Sequence, residues 1–395
     1  MPALLAIDEA LGRVLAHARP LAAEEVGLRD ASGRVLAEDA VATTDLPPFD
    51  SSAMDGYAVR AADTPGTLRV VDQSAAGRPA RARVEAGQAI AISTGAVVPA
   101  GADAVVPVEQ VTVYGDELKP EAVASGDNIR PRGRDAARGS LVVSAGTRLG
   151  PPQLGALAAA GVAAVSCARR PRVSVLATGT ELRPPGASLE AGQIYESNGF
   201  LLAAQVTAAG GVAEVLDPAP DDEAVLRAAL ERGLEADVLL TSGGVSVGPH
   251  DLVRVLLAEL GVDEVFWGVA MRPGKPLFFG VRDQVLVFGL PGNPVSSLVG
   301  FELFVRSALG ALQGAASPGP AYLPGRLRAA VRRRAARDEL VRARTHVEDG
   351  TVVLEPLSGQ ESHMIVRAAA ADALVLIPRG DGELPAGSPV RYLSI

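Results

Sequence analysis

The 395-residue sequence holds a single cysteine, Cys167, so it can form no disulfide within the chain. Disulfide-built secreted scaffolds are thereby excluded, and a reducing compartment fits. Aromatic residues make up only 4% of the chain, so the core must be assembled chiefly from Ala, Val and Leu. No uninterrupted apolar run reaches the roughly 20 residues that a membrane-spanning helix needs. The N-terminus meets acids at once, at Asp8 and Glu9, with no basic stretch before them, which is not a signal-peptide pattern. A cytoplasmic location is expected. The formal net charge of −9 excludes the basic footprint of a general nucleic-acid binder. Lysine and asparagine are also scarce: Lys119 and Lys275 are the only lysines, and Asn128, Asn198 and Asn293 the only asparagines. Such a bias follows coding composition, and a lysine or asparagine kept against it draws attention.

What is present is ordinary for a globular chain: 48% hydrophobic, 21% charged, and long enough for several domains. Residues 3–40 read as a helix, a turn and a short strand, with Ala10, Leu11, Val14 and Leu15 at helical spacing behind Asp8. Residues 41–140 are short Val-, Thr-, Gly- and Pro-rich runs separated by frequent turn signals, which predicts an all-β module. Residues 150–168 read as an Ala-rich helix opened by Pro151-Pro152, with Cys167 in it as a packing residue. From 171 onward strands alternate with helices. Strands are expected at 172–176, 212–216, 237–241, near 263–270 and at 285–290, and helices at 197–209, 221–235, 250–260 and 294–312. That order predicts a parallel sheet covered on both faces. Residues 322–395 return to β texture.

Ligands of open parallel sheets sit beyond the carboxyl ends of the strands. Three loops fall there. "ATGTEL" (177–182) carries Thr178 and Thr180. "TSGGVSVGPHD" (241–251) carries Ser242, Gly243, Gly244 and Ser246. "GLPGNP" (289–294) carries Pro291, Gly292, Asn293 and Pro294. Glycine lets backbone N–H groups approach an anion, and a helix N-terminus favours negative charge. A phosphate-bearing ligand is the natural expectation; each loop is also an acceptable plain β–α turn. Neither a GxGxxG dinucleotide fingerprint nor a Walker A loop occurs, so an ordinary nicotinamide enzyme or P-loop ATPase is excluded. Glu181, Asp221, Asp222 and Asp251 stand at loop ends, where carboxylates beside phosphates suit Mg²⁺. Asp221 and Asp222 also suit the N-terminus of a helix. "MRPGKP" (271–276) places Arg272 and Lys275 around a turn, an arrangement that suits an oxyanion.

The β module adds "PPFDSSAMDGYAVR" (47–60), "STGAVVPAGADAVVPVE" (93–109) and "NIRPRGRD" (128–135); the C-terminal module adds an arginine run and "GQESHM" (359–364). Taken in order with "TGTEL", "TSGGVSVGPHD", "RPGKP" and "GLPGNPVS", these motifs resemble the molybdopterin molybdenumtransferase family, the MoeA-type enzymes, also seen in the C-terminal domain of gephyrin. The resemblance spans nearly the whole chain. It implies a multidomain α/β plus β fold. An elongated helical dimerisation domain is expected from 1–40 and 140–168, and an inserted β domain from 41–139. A three-layer α/β molybdopterin-binding domain is expected from 169–318, and a C-terminal β-barrel from 319–395.

It further implies insertion of molybdenum from molybdate into adenylylated molybdopterin, with Mg²⁺ as cofactor and AMP released. Asp55, Thr94, Asp135, Glu181, Asp222 and Asp251 match catalytic positions of the family, the first three reaching the partner subunit's site of a homodimer. Glu181, Asp222 and Asp251 would hold the metal. The three glycine loops would cradle the nucleotide and pterin phosphate. Arg272, Lys275, Ser296, Arg342 and Ser362 would bind molybdate through charge-assisted hydrogen bonds. The adenylyltransferase that supplies the substrate, and molybdoenzymes or their chaperones, are the implied protein partners. Family members often carry a lysine after the Phe-Trp pair, whereas here Phe266-Trp267 is followed by Gly268, which leaves the anion site a cation poorer. Two other functions fit part of the sequence: a molybdopterin adenylyltransferase, whose single-domain type lacks the two β modules, and a non-catalytic scaffold on the same fold.

Overall fold

A computed structural model describes residues 4–244 and 252–395. At its centre is a six-stranded sheet in the order Val212–Val215, Arg172–Ala177, Val238–Ser242, Val285–Leu290, Phe278–Arg282, Asp263–Trp267. The first four strands run parallel. The runs VLL and VLVFGL are apolar throughout because both faces are covered. Val238, Leu240, Leu286 and Phe288 face one core, with Leu202, Val206 and the helical segment from Val295 to Leu312. Leu239 and Val287 face the other, with Leu226, Leu230, Val253, Leu256 and Leu257 of the helices Glu223–Gly233 and Leu252–Glu259. Alternation along the strand thus feeds two hydrophobic layers.

The sheet departs from an all-parallel expectation at one edge. Phe278–Arg282 is a further strand, antiparallel to both Val285–Leu290 and Asp263–Trp267. Its link to Val285 is a two-residue turn with Asp283 at φ 56°. Two residues can close a hairpin but cannot carry a parallel crossover. The segment Pro294–Leu312 passes from α-helix through one π-helical stretch, Phe301–Val305, and back. Among the described residues it is the one helix long and apolar enough to cross a bilayer, yet 89% of it is buried in the fold, as befits a core helix.

Residues 1–40 do not all stay with 140–168. Ile7, Ala10 and Val14 of the helix Ile7–His17 pack into the core of the α/β sheet, against Phe304 and Ala308 among others. Ala23–Gly27 instead pairs antiparallel with Ala164–Ala168. Val26, Leu36, Leu149, Leu157 and Cys167 form a separate small core there. The expected helix at 150–168 is shorter: it runs Pro151–Ala159, stops before a turn at Gly161 (φ 80°), and the chain re-enters as the strand that holds buried Cys167. Alanine-rich composition supports the helix up to that turn; Val162 and Val165 mark the change.

The inserted β region contains a six-stranded sheet ordered Ala104–Pro107, Gly56–Val59, Gln88–Ile92, Leu68–Ser74, Glu117–Pro120, Val111–Tyr114. At the C-terminus five strands close into a barrel: Asp338–Glu348, Thr351–Pro356, Leu323–Leu327, Pro389–Ser394 and Ala373–Ile377, the last pairing back to the first.

Asp237 joins two of these parts. Its carboxylate accepts from Arg169 Nη1 and Nη2, both at 2.6 Å, and from the Arg172 amide at 2.7 Å. Burial alone would raise this carboxyl's pKa. The Arg169 pair and the Arg172 N–H outweigh it and hold Asp237 below the ordinary carboxylate value. A depressed folded-state pKa gives stability that is present above the unfolded value near 3.9 and is lost as pH falls through the folded one. Asp237→Asn is expected to lower stability by about 1 kcal/mol at neutral pH, the partly exposed Arg169 keeping the figure small. Thermal melts of the two proteins should converge as pH is lowered below 4 or so; a constant difference across that range would refute the assignment.

Candidate active site

The three sheet-end loops pack on one another. Thr178 N donates to Ser242 O (2.9 Å), and Gly243 N donates to Leu290 O (3.0 Å). Gly243 (φ 101°) and Gly244 (φ 64°) adopt the backbone region that side chains avoid. A Cβ on Gly243 would lie 2.6 Å from Thr178 O, and one on Gly244 would lie 2.4 Å from Val253 Cγ2. The glycines therefore serve close packing between loops as well as any close approach to a ligand. Asn198, at the start of the helix Asn198–Ala208, donates to Ser242 Oγ (2.7 Å) and to Gly292 O (2.8 Å). It ties two of the loops together through a residue that no loop motif contained; its only signal in the sequence was the scarcity of asparagine.

The Ser242 and Thr178 hydroxyls are buried and turned inward: Ser242 to Asn198 and Pro291 O, Thr178 to Ser242 O. Thr180 and Glu181 are exposed at the loop tip, with Thr180 Oγ1 3.2 Å from Asp221 Oδ2. Asp222 is the N-cap of the helix Glu223–Gly233 and accepts from Val225 N at 3.0 Å through Oδ1. Ser246 and Asp251, with His250, lie outside the described residues.

The GLPGNP loop has a second neighbour. Pro291 and Asn293 form one wall of a cavity of about 560 Å³ that lies between the α/β sheet and the barrel. Arg272, Lys275 and Ser296 line it from the α/β side, and Arg337, Glu361, Ser362 and His363 from the barrel side. Ser362 O accepts from Val295 N (3.1 Å), which fixes that strip of the barrel against the helix following the GLPGNP loop. Three cations against one carboxylate give the cavity the charge an oxyanion needs.

Arg342 does not belong to it. Only 2% of Arg342 is exposed, and its guanidinium donates to the carbonyls of Gly359 (2.8 Å), Met364 (3.1 Å) and Glu361 (3.2 Å) and to Gln360 Oε1 (3.3 Å). Four of its five N–H donors are spent on holding the 359–364 loop, so Arg342 shapes the cavity wall from behind. Arg337 supplies the barrel's cation instead. The arginine run offered several registers, and only the barrel's closure shows which side chain faces the cavity. Gly268 is also explained. It sits at φ 91°, its carbonyl accepts from Leu5 N, and a Cβ there would strike Leu4 Cδ2 at 2.7 Å. A lysine at that position would strain the backbone and require the Leu4 side chain to shift.

In the β region the three motifs come together. Thr94 N donates to Asp55 Oδ1 (2.8 Å), Ala53 N to Asn128 O (2.8 Å) and Arg132 N to Asp50 Oδ1 (2.8 Å). Asp55, Thr94 and Asp135 are all exposed, and none lines the cavity.

Fold and site together define a multidomain α/β protein with a cationic pocket where a barrel meets its strand-end loops. Family models match successive parts of the chain: the MoeA N-terminal region (domain I and II) over 5–161, a probable molybdopterin binding domain over 174–311, and the MoeA C-terminal region (domain IV) over 324–395. The chain is 35% identical to the molybdopterin molybdenumtransferase of Haemophilus influenzae, covering 98% of each protein. It is 38% identical to molybdopterin molybdenumtransferase 2 of Mycobacterium tuberculosis, covering 93% of each. A crystal structure of a molybdopterin biosynthesis MoeA protein from Pyrococcus horikosii superposes with a TM-score of 0.83 at 33% identity, covering 99% of both chains. The chain belongs to the molybdopterin molybdenumtransferase, or MoeA, family.

The two arginines should separate cleanly. Arg342→Ala, which strands several buried carbonyls, is expected to cost about 2–4 kcal/mol, read as a fall in Tm. Arg337→Ala should leave Tm nearly unchanged and weaken binding of a small dianion such as tungstate. The reverse pattern would show that Arg342 is the anion ligand after all.

Proposed function

We propose that this chain catalyses transfer of molybdenum from molybdate into adenylylated molybdopterin, with release of AMP, in molybdenum cofactor biosynthesis. One observation carries the proposal: the loop that closes the glycine cradle, Pro291–Gly292–Asn293, is also a wall of the cationic cavity. A phosphate-bearing ligand in the cradle and an oxyanion in the cavity would therefore lie side by side, which is what a transfer between them requires. The names of the similar proteins and the molybdopterin binding domain support the same substrates. The barrel's contribution of Arg337 and Ser362 to the cavity favours the transferase over a single-domain adenylyltransferase.

In this proposal Lys275, Arg272 and Arg337 bind molybdate as a dianion, with Ser296 and Ser362 as neutral donors. Glu361 limits the positive charge of the pocket, so that the anion enters without being held irreversibly. Thr180 and the backbone of Gly243, Gly244 and Gly292 orient the adenylylated substrate. The donor chemistry fits Mg²⁺: Glu181 and Asp222 offer hard oxygens at the loop ends, and phosphates and water commonly complete such a shell. Among the described residues no group of three metal-ligating side chains gathers, and Asp251 would be the third protein ligand. When bound, the ion would neutralise charge on the phosphoanhydride. Asp55, Thr94 and Asp135, all exposed and none of them lining the cavity, would act in the site of a partner subunit in a homodimer. We place the enzyme in the cytoplasm, with the adenylyltransferase before it and molybdoenzymes or their chaperones after it.

The purified chain, given adenylylated molybdopterin, Mg²⁺ and molybdate or tungstate, should release AMP and yield active cofactor. No AMP with either oxyanion would overturn the proposal. Lys275→Ala should raise KM for molybdate by about tenfold or more, since a charge-assisted contact is worth roughly 1.5–3 kcal/mol. Asp251→Ala should depress turnover; unchanged turnover and nucleotide binding would remove Asp251 from the site.

A further inference from the structure

The loop between the last two strands of the α/β sheet leaves its own domain. Met271–Arg272 pairs in parallel with Asp338–Glu339 of the barrel, and Asp338 N donates to Ala270 O at 3.0 Å. Directly behind this pairing lies a carboxylate that does not line the cavity. Glu339 Oε1 accepts from Arg272 Nη1 at 2.9 Å and from Arg334 Nε at 2.7 Å. The Glu339 side chain is only 12% exposed, whereas Arg272 and Arg334 are 37% and 56% exposed. Arg272 thus has its back held by the barrel while it lines the anion cavity. Arg337, the barrel's own cation in that cavity, stands two residues before Glu339 on the same chain segment.

We infer that Glu339 is a positioning residue for oxyanion binding: it fixes Arg272 on the cavity wall and makes anion affinity depend on the docking of barrel against α/β domain. The inference rests on the oxyanion reading of the cavity. Two effects of Glu339 oppose each other. Its negative charge lowers the potential in the cavity, and removal of that charge would by itself tighten a dianion. Its hydrogen bond holds a long, entropically free guanidinium in one place, and its loss would weaken binding. The second effect wins here because the charge is shared. Arg334 already offsets much of it, so the field that reaches the cavity is small. Without the carboxylate, moreover, Arg272 and Arg334 become neighbouring like charges with nothing between them, and Arg272 loses the ion pair that holds it on the cavity wall.

The test uses the full chain and tungstate as the probe, with binding measured by calorimetry. Glu339→Gln is expected to raise the tungstate Kd about tenfold, the scale of one charge-assisted contact. Glu339→Asp should recover most of the loss. Arg334→Gln, which disturbs the same carboxylate but leaves its bond to Arg272, should bind tungstate within about twofold of the parent; this separates positioning from mere barrel stability. In turnover, Glu339→Gln should raise KM for molybdate with kcat little changed, as expected for loss of a binding contact away from the reacting atoms. Tungstate binding by Glu339→Gln that equals or exceeds that of the parent overturns the inference alone. A parent chain that binds no tungstate overturns the oxyanion reading, and the inference with it.

Discussion

The parallel pairing of Met271–Arg272 with Asp338–Glu339 is the contact on which the site depends. Neither domain owns the cationic cavity. The α/β side brings Lys275, Arg272 and Ser296, and the barrel brings Arg337, Ser362 and Glu361. Two short backbone segments and one largely shielded carboxylate, Glu339, keep the halves in register. The same junction is reinforced at Val295 N to Ser362 O and, from the N-terminus, by Leu5 pairing with Val269. Arg342 completes it from inside the barrel by pinning the loop that carries Ser362. A pocket built this way brings together like charges carried by two separately packed parts of the chain.

A second level of organisation lies at the sheet's carboxyl edge. Strands buried on both faces are stiff, and their ends present loops at fixed spacing. Glycines at 243 and 244 let the loops interlock, and Asn198 bolts two of them together. Thr178 and Ser242 turn their hydroxyls inward and help hold the loops together. The GLPGNP loop is common to cradle and cavity, which couples the placement of the two proposed substrates through one short, rigid stretch.

Much of this was legible in the sequence. Apolar runs at 172–176, 237–241 and 285–290 marked the parallel strands, and glycine-rich junctions after them marked the edge where the three loops pack together. Arg272 and Lys275 were found because lysine is rare and the turn concentrates charge. What stayed hidden depends on long-range geometry. Arg337 and Arg342 lie five residues apart in one arginine run and cannot be told apart until barrel closure buries the second and turns the first to the cavity. Glu339 looked like one acid among many. Phe278–Arg282 escaped because the strand follows a proline-glycine turn and its apolar run is short. The helix at 151–159 was overextended because alanine carries no stop signal of its own, and Gly161 was the cue that ended it. The resemblance to the MoeA family supplied the domain layout, which composition alone marked only as changes of texture.

The central claim is that the junction between α/β domain and barrel binds the oxyanion next to the substrate cradle. Anomalous diffraction from crystals soaked in tungstate tests it directly, since tungsten scatters strongly and leaves no doubt about position. A single dominant peak within hydrogen-bonding reach of Lys275, Arg337 and Ser296 is the predicted result. A dominant peak elsewhere, with this cavity empty at saturating tungstate, would contradict it.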